Sequence, residues 1–190
     1  VGTLTIAAPD AWDATVFTVN ATQPGFGRDA TEAVAEAIAA AAAHGGGVVY
    51  FPRGQYFVRG ALVLPEGAVA RGAGADLVSL YFAENNATTA PDAYVTGAPG
   101  ARRFGVEDMT LYVTSYANNV VRFAPGTDGS FLRRSRIRYN SYFCLEPSEG
   151  QGSRGRTTAW PQDQGTAVLI AGANVVVEDN DIYSSGDVVS

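Results

Sequence analysis

The 190-residue sequence predicts an all-β fold: a parallel β-helix whose short strands coil into stacked rungs, with one α-helix closing its N-terminal end. Three observations carry that prediction. One alanine-rich helical stretch is followed only by β-like runs of three to six residues, each closed by a Gly or Pro signal. A nine-residue pattern then recurs without gaps, and its apolar residues return at the third and eighth places.

Residues 1–28 read as lead-in strands, with β-like runs at Thr3 to Ala7 and Thr15 to Val19 broken by Pro9, Asp10 and Asp13. The next segment, 29–47, reads as the capping helix. Asp29 and Glu32 stand three apart, as in a capping box, ahead of Val34 and Ile38 at i and i+4. The helix runs from about Ala30 to Ala43 and stops at Gly45-Gly46-Gly47. Its apolar side is small, so it can lie close on a flat apolar surface. The first rung of a solenoid offers such a surface, together with unpaired strand edges that need a cover.

From residue 48 to 190 the chain reads as coils. The first runs are Val48 to Phe51, Tyr56 to Val58, Ala61 to Leu64, Ala68 to Ala70 and Val78 to Phe82. Strands this short could build a sandwich, a barrel or a solenoid, and a repeat decides among them. Phe104 to Tyr112 aligns with Ser130 to Arg138 and with Val175 to Tyr183. The first two copies are 26 residues apart, as are Val95 and Val121 in the preceding strands. The third copy lies 45 further on, which leaves 19 residues beyond one rung. Those fall at Glu146 to Gln164, a polar stretch holding Trp160, and read as an inserted loop of the kind that carries function.

Stacked rungs lie ~4.8 Å apart, so aligned residues become neighbours. Glu107, Arg133 and Glu178 then form one column, and Asp108, Arg134 and Asp179 the next, with charges that alternate and attract. The arginines at 133, 134, 136 and 138 therefore read as a ladder between coils rather than a polyanion patch. Tyr112, Arg138 and Tyr183 make a third column, with Tyr139 and Tyr142 close in sequence. Val106, Leu132 and Val177 should share the dry interior.

Composition narrows the function. The formal charge of −6 opposes binding to nucleic acid or anionic bilayers, and no apolar run approaches the ~20 residues of a membrane helix. All 13 bases are Arg, a planar fork suited to carboxylates, and the absence of Lys removes Schiff-base chemistry. One Cys, Cys144, and one His, His44 beside the helix end, leave little support for Cys-built zinc sites or Ser-His-Asp catalysis.

The segment from Asp29-Ala-Thr-Glu-Ala-Val through Gly45-Gly-Gly-Val-Val-Tyr-Phe-Pro-Arg-Gly-Gln-Tyr-Phe-Val, Leu62-Val-Leu-Pro-Glu-Gly and Arg71-Gly-Ala-Gly resembles the N-terminal signature of the pectin-lyase-like superfamily. That resemblance implies a right-handed parallel β-helix and a polysaccharide partner laid along one lateral face. It implies glycosidase or lyase chemistry, with two carboxylates about 5 to 10 Å apart in the hydrolases. Ile182-Tyr-Ser-Ser-Gly-Asp187 is similar to the polygalacturonase stretch ending in Gly-Asp-Asp, with Val188 in place of the second Asp. Asp181 and Asp187 are thus the candidate catalytic residues, and Tyr112, Arg138, Tyr139, Trp160 and Tyr183 the candidate sugar-binding set. Aromatic faces and Arg forks suit sugar rings and uronate carboxylates. Calcium is the cofactor that Asp179, Asp181 and Asp187 could hold.

Sequons at Asn20 and Asn86 fit a secreted, extracellular glycoprotein. The sequence ends on what reads as the start of another coil, so the rest of the same solenoid, or another chain, is the expected partner there. The reading from a different class is a noncatalytic structural solenoid of a wall, fibre or extracellular assembly.

Overall fold

The computed structural model describes residues 12–21, 29–82, 91–113, 119–139 and 166–184. They form a right-handed parallel β-helix of three sheets, every pairing parallel. Sheet A holds β1 (Val16–Thr18), β2 (Gly47–Phe51), β5 (Ala68–Gly72), β8 (Phe104–Glu107), β11 (Phe131–Arg133) and β14 (Val176–Glu178). Sheet B holds β3 (Gly54–Val58), β6 (Val78–Phe82), β9 (Thr110–Val113), β12 (Arg136–Tyr139) and β15 (Asp181–Ser184). Sheet C holds β4 (Leu62–Leu64), β7 (Ala93–Gly97), β10 (Asn119–Phe123) and β13 (Thr166–Ile170). The chain visits A, B and C in turn on each rung.

The register follows the repeat. Leu132 pairs with Val106 and Val177, and Val121 with Val95. Val106 and Leu132 are fully buried and Val177 packs against the same core. Leu80, Leu111 and Ile137 supply that core from sheet B, and Val95, Val121 and Val168 from sheet C.

A two-residue turn joins A to B on the later rungs, and its first residue has positive φ each time: Asp108 at 58°, Arg134 at 48° and Asp179 at 53°. Left-handed backbone is costly for residues with a Cβ, so something must compensate. Here the ladder does: Arg134 Nε and one terminal nitrogen each donate to the Asp108 carboxylate at 2.8 Å. The Arg134 backbone N–H reaches the Glu178 carbonyl, and the Asn180 side chain bridges Ser135 and Leu132.

Helix α1 (Thr31–His44) covers the first rung with Val34, Ala37 and Ala41 buried. Gly45, at φ 91°, ends it by donating its N–H to the Ala41 and Ala42 carbonyls, a left-handed cap that favours glycine. The other end departs from the expected capping box. The N-cap is Ala30, which has no capping side chain, and Asp29 instead accepts from the Thr31 backbone and hydroxyl and from Arg59 Nε at 2.7 Å. Arg59 arrives from the turn after β3 and takes the carboxylate that the box would have used.

The two Thr31 hydrogen bonds, followed by that of Arg59, pull the Asp29 pKa down to about 2. Its folded value lies below its unfolded one, so its contribution to stability is complete above the ordinary aspartate range and is lost as pH falls toward 2. Carboxyl NMR titration should find Asp29 near 2 in the wild type and closer to ordinary aspartate in Thr31→Val. An unchanged value would refute the assignment.

Candidate functional site

Side chains alternate across a strand, so each sheet B strand sends its second set outward. In register these are Phe57, Tyr81, Tyr112, Arg138 and Tyr183. The predicted column of Tyr112, Arg138 and Tyr183 is thus present, and two aromatics extend it toward the helix. Tyr81 and Tyr112 stack with centroids 4.7 Å apart and planes 3° from parallel, ring upon ring at the rung spacing. Their mutual contact takes a face from each. They therefore offer ring edges and phenol oxygens more than open faces, while Tyr183 is 60% exposed. Burial, followed by the neighbouring Tyr112, pushes the Tyr81 phenol up, so it stays neutral and able to donate. Arg59 lies over Phe57, 5.5 Å from the ring centre.

Beside this column runs a second, Ser79, Thr110, Arg136 and Asp181. Arg138 donates from one terminal nitrogen to the carbonyls of Ile137 at 3.0 Å and Asp181 at 2.9 Å, and from the other to the Asp181 carboxylate. Arg136 donates to Asp76 and places its Nε 3.8 Å from the Asp181 carboxylate. The Arg138 hydrogen bond is the main reason that the Asp181 carboxyl lies below the ordinary aspartate range. Two arginines thus engage the Asp181 carboxylate and hold it as the ionised form.

Tyr139 does not share this outward face. It sits at an inward position paired with Val113 and is 1% exposed, so it is a core residue and not part of the sugar-facing set. Adjacent strand residues point to opposite faces, and Arg138 takes the outward place. Trp160, Asp187, Asn86, Tyr142 and Cys144 lie outside the described residues. Asn20 is exposed. Among the described residues no three His, Cys, Asp or Glu side chains converge as a cation site, and Asp181 is turned to its arginines. His44 ends the helix, 3.8 Å from Asp13, with its Nδ1 3.2 Å from the Gly46 carbonyl.

The outer face of sheet A is built differently. Glu107 pairs across the ladder with Arg71 and Arg133, and Arg133 with Glu178, so signs alternate over four rungs. The Glu107 side chain is fully buried beneath Arg71, Arg133 at 2.6 Å and Arg134 at 2.8 Å. Next to it Trp12 meets Phe131 edge to face at 5.0 Å, with Arg103 over Trp12 and Arg133 over Phe131. These contacts cover the middle of the face, while Val16 and Val176 at its two ends stay exposed. Sheet C carries Thr96, Arg122 and Leu169 outward, with Arg122 paired to Asp92 at 2.8 Å. The longest connections, including 140–165, run from sheet B to sheet C, so the strands that carry the column end at the corner where loop length varies most.

Arg71, Phe57 and Tyr81 escaped the repeat because the early rungs are uneven. Gly47 pairs with Ala68, but Ala68 pairs with Phe104. A shorter signal does mark the column: an outward aromatic or Arg between inward residues in Tyr56-Phe57-Val58, Leu80-Tyr81-Phe82, Leu111-Tyr112-Val113, Ile137-Arg138-Tyr139 and Ile182-Tyr183-Ser184.

Residues 22–141 match the family model described as rhamnogalacturonase A/epimerase, pectate lyase-like. Among solved structures, the chain is similar to the A-module of the mannuronan C-5 epimerase AlgE4 of Azotobacter vinelandii. The TM-score is 0.59 at 19% identity, over 92% of this chain and 53% of that one. The AlgE6 A-module from the same organism gives 0.59 at 20%, over 88% and 50%. The chain spans about half the length of the structures it matches. No curated protein sequence matches it significantly. The solved structures show the shared fold, and the family match covers well over half of the sequence. The chain belongs to the rhamnogalacturonase A/epimerase, pectate lyase-like family.

Proposed function

We propose that this protein binds polysaccharide along the outer face of sheet B, as part of a secreted enzyme that acts on uronate-containing glycans. One observation carries the reading: Phe57, Tyr81, Tyr112, Arg138 and Tyr183 stand in register on one outward column. Their rung spacing of ~4.8 Å is close to the advance per residue of an extended pyranose chain, so a glycan parallel to the solenoid axis meets one side chain per sugar. The phenols and the Arg fork supply hydrogen bonds to ring hydroxyls and carboxylates, and exposed Tyr183 supplies a face for stacking. The solved neighbours are named for their action on mannuronan, and the family's name joins hydrolase, epimerase and lyase members. Exposed Asn20 in its sequon fits the secreted setting.

The second reading, a noncatalytic solenoid, is favoured by the pairing of Asp181 with two arginines, a ladder contact that holds neighbouring rungs together. Turnover assays on galacturonan and mannuronan separate the two readings.

Calorimetric titration with oligouronates tests the platform. Tyr112→Ala and Arg138→Ala should each weaken binding about tenfold, the loss of ~1.4 kcal/mol that anchoring Tyr and Arg residues commonly exceed. Unchanged affinity in both would place the glycan elsewhere.

A further inference from the structure

We propose that Asp181 is a resident counter-ion: its carboxylate occupies the anion seat of Arg138 and so sets how strongly the sheet B face discriminates acidic from neutral glycans. The proposal rests on the reading of that face as a glycan platform.

The seat is held in place without Asp181's side chain. One terminal nitrogen of Arg138 is anchored by two backbone carbonyls, those of Ile137 and Asp181. Those anchors persist if the carboxylate swings away, so the other terminal nitrogen stays aimed at the same point. Arg136 adds a second guanidinium, with Nε 3.8 Å from the Asp181 carboxylate and its own position secured by Asp76. Tyr112 and Tyr183 flank Arg138 on the rungs below and above. A planar fork with fixed anchors, a second positive charge and aromatic neighbours on both sides suits a sugar carboxylate.

Asp181 is 62% exposed at its side chain, so it can leave into water without opening the core. An incoming uronate must displace that carboxylate and then match its interaction with both arginines. A neutral sugar faces no such competition. Asp181 therefore penalises acidic ligands and leaves neutral ones unaffected.

The test is calorimetric titration of the folded chain with hexagalacturonate and, separately, cellohexaose. Asp181→Asn should bind hexagalacturonate about threefold to fivefold more tightly than wild type, the range set by an exposed ion pair. Its affinity for cellohexaose should not change. Asp181→Ser, which keeps no amide oxygen on the fork, should reproduce the gain, and thermal melts verify that both variants fold. The gain should vanish when Arg138→Gln is the background.

Equal or weaker hexagalacturonate binding by both Asp181 variants, with Tyr112→Ala still weakening it, overturns the counter-ion and leaves the platform standing. A gain that survives Arg138→Gln overturns it as well. If neither wild type nor the Asp181 variants bind either oligosaccharide, the platform falls and the counter-ion with it.

Discussion

Replacing Glu107 with Gln is expected to destabilise the protein by about 3 kcal/mol, lowering its melting temperature by roughly 6–12 °C. The carboxylate is fully buried and accepts from Arg71 on the rung before it and from Arg133 and Arg134 on the rung after it. Removing its charge leaves three guanidiniums facing one another. Breaking a buried pair commonly costs about 3–5 kcal/mol, and the low end applies because each arginine keeps a third or more of its surface in water. Burial is the largest influence on Glu107 and opposes its ionisation. The hydrogen bonds from Arg133 and Arg71, with their charges, outweigh it and hold the carboxyl below the ordinary glutamate range. The folded value therefore lies below the unfolded one, and the stabilisation is complete above about pH 4.3 and lost as pH falls through the folded value. Urea melts of the two proteins should differ most near neutral pH and converge in acid. A difference under about 0.5 kcal/mol at pH 7 would mean that water screens the cluster despite its burial.

This cluster also marks how far the fold could be read from sequence. A strand side chain meets its partner one rung away, so any segment with a constant repeat declares its neighbours. Glu107, Arg133 and Glu178 did so at a spacing of 26 and then 45, and the pairing bears them out. Arg71 belongs to the same column but sits 36 residues before Glu107, because the turns between β5 and β8 are long. Turn length carries no register information of its own, so Arg71 was invisible to the alignment. Tyr81 and Phe57 were hidden for the same reason, although their position between two inward apolar residues is a local signal.

Two other differences arise from tertiary competition. Asp29 has the residue type and spacing of a capping box, yet Thr31 two residues on and Arg59 from the turn after β3 claim its carboxylate, and the Arg59 contact, 30 residues away in sequence, is not visible in the local pattern. Sequence proximity groups Tyr139 with the sugar-facing residues, whereas the twofold alternation of a strand sends it inward once Arg138 points outward. Proximity in sequence selects a strand, and parity selects the face. The candidate site was legible where parity and register could both be applied, at Tyr112, Arg138 and Tyr183.

Gly105→Ala should cost about 1–3 kcal/mol although the change adds a single methyl group. A Cβ at Gly105 would lie 2.2 Å from the tip of the Phe131 ring and within 2.7 Å of two further ring atoms. The ring cannot lift freely, because Trp12 packs on it edge to face and the Arg133 guanidinium lies over it. The absence of a side chain at 105 is what lets Phe131 lie flat across its paired neighbour, and Phe131 in turn holds Trp12 against sheet A. The cost should be coupled to that ring: in a Phe131→Ala background the same substitution should become nearly neutral, a non-additivity of about 1–2 kcal/mol in the double-mutant cycle. With Trp160 replaced by Phe, Trp12 remains as the sole indole, and its emission should shift toward that of a solvated ring in Gly105→Ala. Binding of oligouronates should be unaffected, because this stack lies on sheet A and the Tyr112–Arg138 column on sheet B. Full additivity, or a loss of binding equal to that of Arg138→Ala, would show that the two faces are not independent and that Trp12 does more than cover the middle of sheet A.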